Sequence, residues 1–137
     1  LYGDGIAGLF EARCREIGVE VLGGRRQGIV PSQQAFTEVA NGVAGQRPDL
    51  VYFGGTTQTA AGRVIRDLRA AQVACPVMVP DGCYEQSFLA SASAQDLTNV
   101  YATIGGTDPS QLTGKGQEFV AKYRAKYGTE PPMEAGK

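Results

Sequence analysis

Two hydrophobic rhythms alternate along the chain. From Gly5 to Gly18, Ile6, Leu9, Phe10, Cys14 and Ile17 stand at helical spacing, with Glu11, Arg13, Arg15 and Glu16 largely opposite. That spacing predicts an amphipathic helix stopped by Gly18. Val19-Glu20-Val21-Leu22 alternates and is rich in β-branched residues, the pattern of a short strand, and runs into a Gly23-Gly24-Arg25-Arg26 loop. Ser32 offers a helix N-cap after Pro31, and Phe36, Val39, Ala40 and Val43 form the next apolar stripe, closed by Gly45 and Pro48. Asp49 to Phe53 then reads as a strand covered on both faces, ending at Gly54-Gly55-Thr56-Thr57. Ala61, Val64, Ile65 and Leu68 recur at i, i+3, i+4 and i+7, with Arg63, Arg66, Asp67 and Arg69 turned mainly outward. Pro76 to Pro80 is a short strand ending in an Asp81-Gly82 turn, followed by a helix over Glu85 to Ala92 and a strand over Asn99 to Ile104. From Thr113, the spacing of Phe119, Val120, Tyr123 and Tyr127 predicts a last helix stopped by Gly128.

Helices and strands thus alternate throughout, the signature of an α/β fold with a parallel sheet and helices on both faces. The order opens with a helix, whereas a parallel sheet normally opens with a strand. A first strand is therefore expected before Leu1, the chain being one part of something longer. If that strand is central, its loss leaves a gap of about two strand spacings, roughly 9.6 Å, lined by unpaired backbone. Either a second copy pairs there, or Val19 to Leu22 shifts to pair with Asp49 to Phe53.

Composition narrows the function classes. The 137 residues suit one domain, and 13 basic against 14 acidic side chains, with no block of one sign, disfavour nucleic acid and anionic membrane surfaces as partners. No apolar run nears the roughly 18 residues that span a bilayer. Histidine is absent, removing the commonest general base and metal ligand. Cys14, Cys75 and Cys83 show no C-x-x-C spacing and suit small buried hydrophobes better than a zinc site. No Ser, Cys or Lys has a base beside it, and no carboxylate pair stands out, so no catalytic constellation is present in the sequence. Lys115, Lys122, Arg124 and Lys126 read as the solvated face of the last helix.

Two constellations remain. Gly3-Asp4-Gly5-Ile6-Ala7-Gly8 matches G-x-G-x-x-G, and Arg25 and Arg26 would suit a 2′-phosphate, which makes an NADP-binding oxidoreductase domain one reading. The second lies along the carboxyl edge of the sheet, where ligands of open α/β folds sit: Tyr2 before the first helix, Thr56 after the glycine pair, and Asp81 after the next strand. Each also has a local reading: Tyr2 as a surface or helix-start tyrosine, Thr56 as a helix N-cap, and Asp81 as a turn former.

Tyr2-Gly3-Asp4-Gly5 opening a helix, Pro48 to Gly55, Pro80-Asp81-Gly82, and Phe119 to Pro131 together resemble the periplasmic solute-binding proteins of branched-chain amino-acid-type ABC transporters. In that family two α/β lobes close on a solute. The resemblance implies that residues 1–130 are most of the second lobe, lacking its first strand, and that 131–137 return toward the hinge. It implies a periplasmic or secreted setting, a small-molecule solute, a membrane permease as partner, and no enzymatic activity or cofactor. Tyr2, Thr56 and Asp81 would be the ligand contacts, the acid holding an ammonium group. Members that bind amino acids often carry an aromatic residue at the Thr56 position and a glutamate at Asp81. The shorter Thr56 therefore leaves room for a bulkier solute or another class, such as an aromatic acid.

Overall fold

The computed structural model describes residues 2–23 and 26–131. They fall into two compact units, Leu1–Thr103 and Ile104–Lys137. In the first unit the elements run α1 (Tyr2–Glu16), α2 (Thr37–Gln46), β1 (Val51–Tyr52), a 3-10 turn (Thr57–Thr59), α3 (Ala61–Ala70), β2 (Val77–Val79), a second 3-10 turn (Asp81–Cys83), α4 (Gln86–Leu89) and β3 (Val100–Ala102). The three strands form one parallel sheet in the order β1-β2-β3, with Val51 opposite Val77 and Val77 opposite Val100. The α/β alternation read from the sequence is thus the architecture of the chain.

Because strand side chains alternate between faces, the pairing register sorts them. Val51, Val77, Val79, Val100 and Ala102 share one face, and all belong to a core completed by Phe36 and Ala40 with Ala61, Val64, Ile65 and Leu68 of α3. Val64, Ile65 and Leu68 are buried, each contributing roughly 1.5–3 kcal/mol by removing apolar surface from water. On the opposite face the Tyr52 ring stacks on Phe10 of α1, with centroids 4.0 Å apart and planes 6° from parallel. Tyr101, on that same face, is exposed.

Several sequence expectations change. Val19 to Leu22 is not a strand: no described segment pairs with β1 except β2, and an isolated β-branched run has no ladder to join. Its proposed shift onto Asp49 to Phe53 does not occur. Instead α1 approaches the end of β1, where a side chain added at Gly54 would sit 2.5 Å from the Gly3 carbonyl oxygen and 2.9 Å from Ala7 Cβ. The α1 stripe is only partly covered, with Leu9 and Ile17 exposed. Ser32 does not cap α2, which starts five residues later at Thr37. There the Asp67 carboxylate accepts from the amide of the N-cap residue Phe36 at 2.6 Å, doing from a neighbouring helix what the N3 side chain of a capping box does locally. Burial alone would raise the Asp67 carboxyl, but Arg66 and the Phe36 amide outweigh it and hold it below its usual range.

Nor does the charged face of α3 simply point to water. Arg63 donates to the Pro31 carbonyl at 2.6 Å and Arg66 to that of Gln34 at 3.0 Å, lacing the loop before α2 onto α3. Among the described residues, all three cysteines are free, and only Cys83 is fully buried. No described helix is long and apolar enough to cross a membrane.

The second unit holds a 3-10 turn (Pro109–Gln111) and α5 (Lys115–Tyr127). Gly128, at φ 70°, ends α5 in the left-handed conformation that glycine adopts at least cost. Phe119, Tyr123 and Tyr127 form an aromatic ladder along the helix, and the Lys126 ammonium lies 5.1 Å from the Tyr127 centroid. Arg124 pairs with Glu130. Of the segment expected to lead to a hinge, 132–137 lie outside the described residues.

Candidate functional site

The carboxyl edge of the sheet is built from two short turns. After β1 the Phe53 amide still donates to Met78 O at 2.9 Å, and the chain then breaks away through Gly54 and Gly55. Glycine is required at 55, where an added Cβ would lie 2.6 Å from both the Phe53 ring and Thr59 Oγ1. Thr56 opens the first 3-10 turn. Its amide donates to Thr59 Oγ1 at 2.8 Å, and that hydroxyl donates back to the Thr56 carbonyl at 3.0 Å. Asp81 opens the second turn, in which the Cys83 amide donates to Pro80 O at 3.0 Å and the Tyr84 amide to Asp81 O at 2.9 Å.

These turns bring the three sequence-predicted residues to one place. The Tyr2 phenol donates to Asp81 Oδ1 at 3.0 Å across 79 positions of sequence. Gly82 lets Thr56 close on the Asp81 turn: a Cβ there would be 2.8 Å from Thr56 Cγ2. Thr57 Oγ1 reaches the Gly82 carbonyl at 3.5 Å, and Cys83 Sγ lies 3.9 Å from the Gly55 carbonyl. Tyr2 is about half exposed overall, with its phenol bonded to Asp81. Its titration is pushed up to about 12 by burial of part of the ring and by the Asp81 carboxylate it bonds. The Tyr52 phenol is raised too, first by burial and then by the Asp81 charge.

Chemically, the edge offers a carboxylate, a phenol and a threonine hydroxyl. Burial, followed by the charges of Glu85 and Asp81, pushes the Cys83 thiol up to about 12, so it stays protonated near neutrality and is no nucleophile. Among the described residues no group of three or more His, Cys, Asp or Glu could hold a metal ion. The sequence singled out Tyr2, Thr56 and Asp81 but not Tyr52 or Cys83. A tyrosine inside an apolar run carries no sign of the carboxylate it will face.

The glycine-rich match takes a different form from a dinucleotide loop. Gly3, Gly5 and Gly8 lie inside α1, which starts at Tyr2, so they do not form a turn in front of a helix N-terminus. Arg26 is engaged with Glu11 at 2.7 Å and Asp4 at 3.0 Å, and its guanidinium lies 3.4 Å from a Cβ added at Gly8. The space beside Gly8 is thus taken by an arginine of this chain, which a Cβ at position 8 would meet at ordinary contact distance. Arg25 lies outside the described residues.

At the opposite end of the sheet a shallow concavity is lined by Arg69, Ala74, Thr98, Asn99 and Tyr101. The Arg69 guanidinium is committed there to four carbonyls, those of Val73 (2.6 Å), Cys75 (2.9 Å), Thr98 (2.9 Å) and Asp96 (3.2 Å). Four of its five N–H donors are used in this way, and the polar side chains that converge across different connections lie at the carboxyl edge instead.

Fold and edge together define an α/β unit whose convergent polar groups lie at the carboxyl end of its parallel sheet. The chain is similar in structure to a Rhodospirillum rubrum protein provisionally described as a branched-chain amino acid ABC transporter, at a TM-score of 0.58 and 24% sequence identity over 76% of this chain. The match spans 29% of that longer chain. No protein-family model and no curated protein matches the sequence.

Proposed function

We propose that this chain is the ligand-facing part of a solute-binding protein: most of the second lobe of a receptor that delivers a small molecule to the membrane permease of an ABC transporter. The observation that carries this reading is the Tyr2–Asp81 hydrogen bond at 3.0 Å, made at the carboxyl edge beside Thr56. A carboxylate oriented by a phenol suits the ammonium of an amino acid or the N–H groups of a related solute. A carboxylate on the solute would need its partner on another lobe. Closure between lobes would form the complete site, in a periplasmic or extracellular compartment, with no bond made or broken. In this reading residues 1–130 form the lobe and 131–137 lead back to the hinge. Thr56 in place of a larger aromatic side chain favours a bulkier solute, with aromatic acids as candidates.

Calorimetric titration of the whole protein carrying this chain tests the reading, using branched-chain amino acids, aromatic acids and NADPH. Saturable binding of one of the small acids is expected, and it should weaken at least tenfold in D81A, as for loss of a charge-assisted bond. Tight NADPH binding with no response to any small acid would overturn the proposal. The 137 residues alone should bind poorly, since half of the contacts and the closure would be missing.

A further inference from the structure

The two turns that carry Thr56 and Asp81 come from different βα connections, and little backbone bonding joins them. Two of the polar contacts between them are weak, a 3.5 Å hydroxyl contact from Thr57 and a 3.9 Å thiol contact from Cys83. A solute site spread over two such turns is only as well defined as the link between them, since a displacement near 1 Å is enough to degrade binding geometry.

Glu85 supplies a stronger link. It follows the Asp81 turn directly, with its amide donating to Cys83 O at 3.0 Å, and its carbonyl accepts from the Phe88 amide at 3.1 Å, which fixes it at the start of α4. From there its carboxylate reaches back to the other turn, where Gln58 Nε2 donates to Glu85 Oε1 at 3.0 Å. The hydroxyls of Ser87 and Thr57 and the Gln58 amide hold the Glu85 carboxyl below its usual range. One carboxylate thus ties the Thr57–Thr59 turn, the end of the Asp81–Cys83 turn and the start of α4 together.

Building on the solute-binding reading above, we propose that Glu85 is a positioning residue: its carboxylate braces the turn bearing Asp81 against the turn bearing Thr56 and so sets the spacing of the two solute contacts. The charged and titratable groups facing it are few. Asp81 and the Cys83 thiol stand in its own turn, the Thr57–Thr59 turn presents only neutral side chains, and α4 contributes the Ser87 hydroxyl. Protonating Glu85 weakens the brace by removing one accepting oxygen and the charge that strengthens each bond. Because the folded carboxyl titrates below its ordinary value, the brace holds at neutral pH and is lost as pH falls through that lowered value.

The test compares the protein with E85A and E85Q by amide hydrogen exchange and by binding of leucine and benzoate as probes. In E85A the protection factors of the Cys83 and Tyr84 amides should fall about tenfold and affinity for the responding probe by about three- to tenfold. E85Q keeps one accepting oxygen for Gln58 but lacks the charge, so it should behave like the protein with Glu85 protonated and recover only part of both. The acid-dependent loss of protection seen in the parent should be absent from E85Q. Unchanged protection in E85A would overturn the brace. A loss of affinity with full protection would also overturn it, because Glu85 would then touch the solute directly. Should neither probe bind the parent protein, the solute-binding reading fails while the exchange measurement still decides whether the brace exists.

Discussion

The two ends of the sheet are held by opposite means. At the amino end one cation, Arg69, satisfies four backbone carbonyls drawn from the segments that lead into β2 and β3. At the carboxyl end β1 and β2 run out into short 3-10 turns held by single side-chain bonds, Tyr2 of α1 to Asp81 and Gln58 to Glu85. The first arrangement is a closed account of donors and acceptors, and the second leaves hydroxyls and carboxylates facing outward. The proposed solute site thus lies at the less heavily bonded end of the sheet, the kind of region from which ligand-binding segments are commonly drawn.

The sharpest way to break this contrast is R69M. The apolar stem is kept while four carbonyls lose a charged donor, so stability should fall by about 2–3 kcal/mol in chemical denaturation. Solute affinity of the surviving folded protein should stay within about twofold, because the site is at the other end. A mild R69M phenotype would show that water replaces the arginine and that the amino end is not the locked one.

G82A addresses the carboxyl end. Its methyl would press on Thr56 at 2.8 Å, so the turns must separate. A stability loss of about 1–2 kcal/mol is expected from overpacking, with a larger proportional loss in solute affinity. Equal binding by G82A would mean that Thr56 and Asp81 need not be close.

Y2F should cost still less stability while removing the hydroxyl that orients Asp81. Its signature is in alkaline titration. The Tyr2 phenol titrates at about 12 against a usual value of 10.0, so the folded protein should lose stability as pH rises across that interval. The sign follows from the unfolded chain ionising first, and Y2F should lack this loss. In D81N the phenol should move down but stay above 10.0, because burial is the largest cause of its shift.

The smallest effect concerns the edge of β1 that no other strand among the described residues pairs with. Pairing between two copies at this edge should produce a weak, concentration-dependent dimer in sedimentation equilibrium, loosened by L50K, since lysine beside an edge strand opposes pairing. Monomeric behaviour of the parent at high concentration would remove the edge from consideration.

How much of this was legible in the sequence depended on whether the signal was local. The α3 stripe of Val64, Ile65 and Leu68 and the β2 run between Pro76 and Pro80 identify themselves, because burial of one helix face or of a whole strand leaves a periodic record. Val19 to Leu22 carries an equally good strand pattern and fails, because a strand also needs a partner that its own residues do not encode. Ser32 was a plausible cap and was passed over, since the Asp67 carboxylate on another helix satisfied the start of α2 instead. Tyr2, Thr56 and Asp81 were singled out by the rule that ligands gather at the carboxyl ends of parallel strands, and the structure places the three together there. The bond between Tyr2 and Asp81 lay beyond the sequence, as did the four carbonyls around Arg69, since neither partner announces the other.

Arg69 also bears on how the chain finds its pairing. Its acceptors come as two pairs, the carbonyls of 73 and 75 and those of 96 and 98, each pair two residues apart and just ahead of a strand. A slip of β3 by one residue against β2 would turn Val100 and Ala102 off the core face and at the same time carry the Asp96 and Thr98 carbonyls away from the guanidinium. The mispaired sheet would lose its core pattern and its polar lock together. A single side chain thus widens the energy gap between the native alignment and its nearest competitors, which makes Arg69 a device for folding specificity as well as for stability.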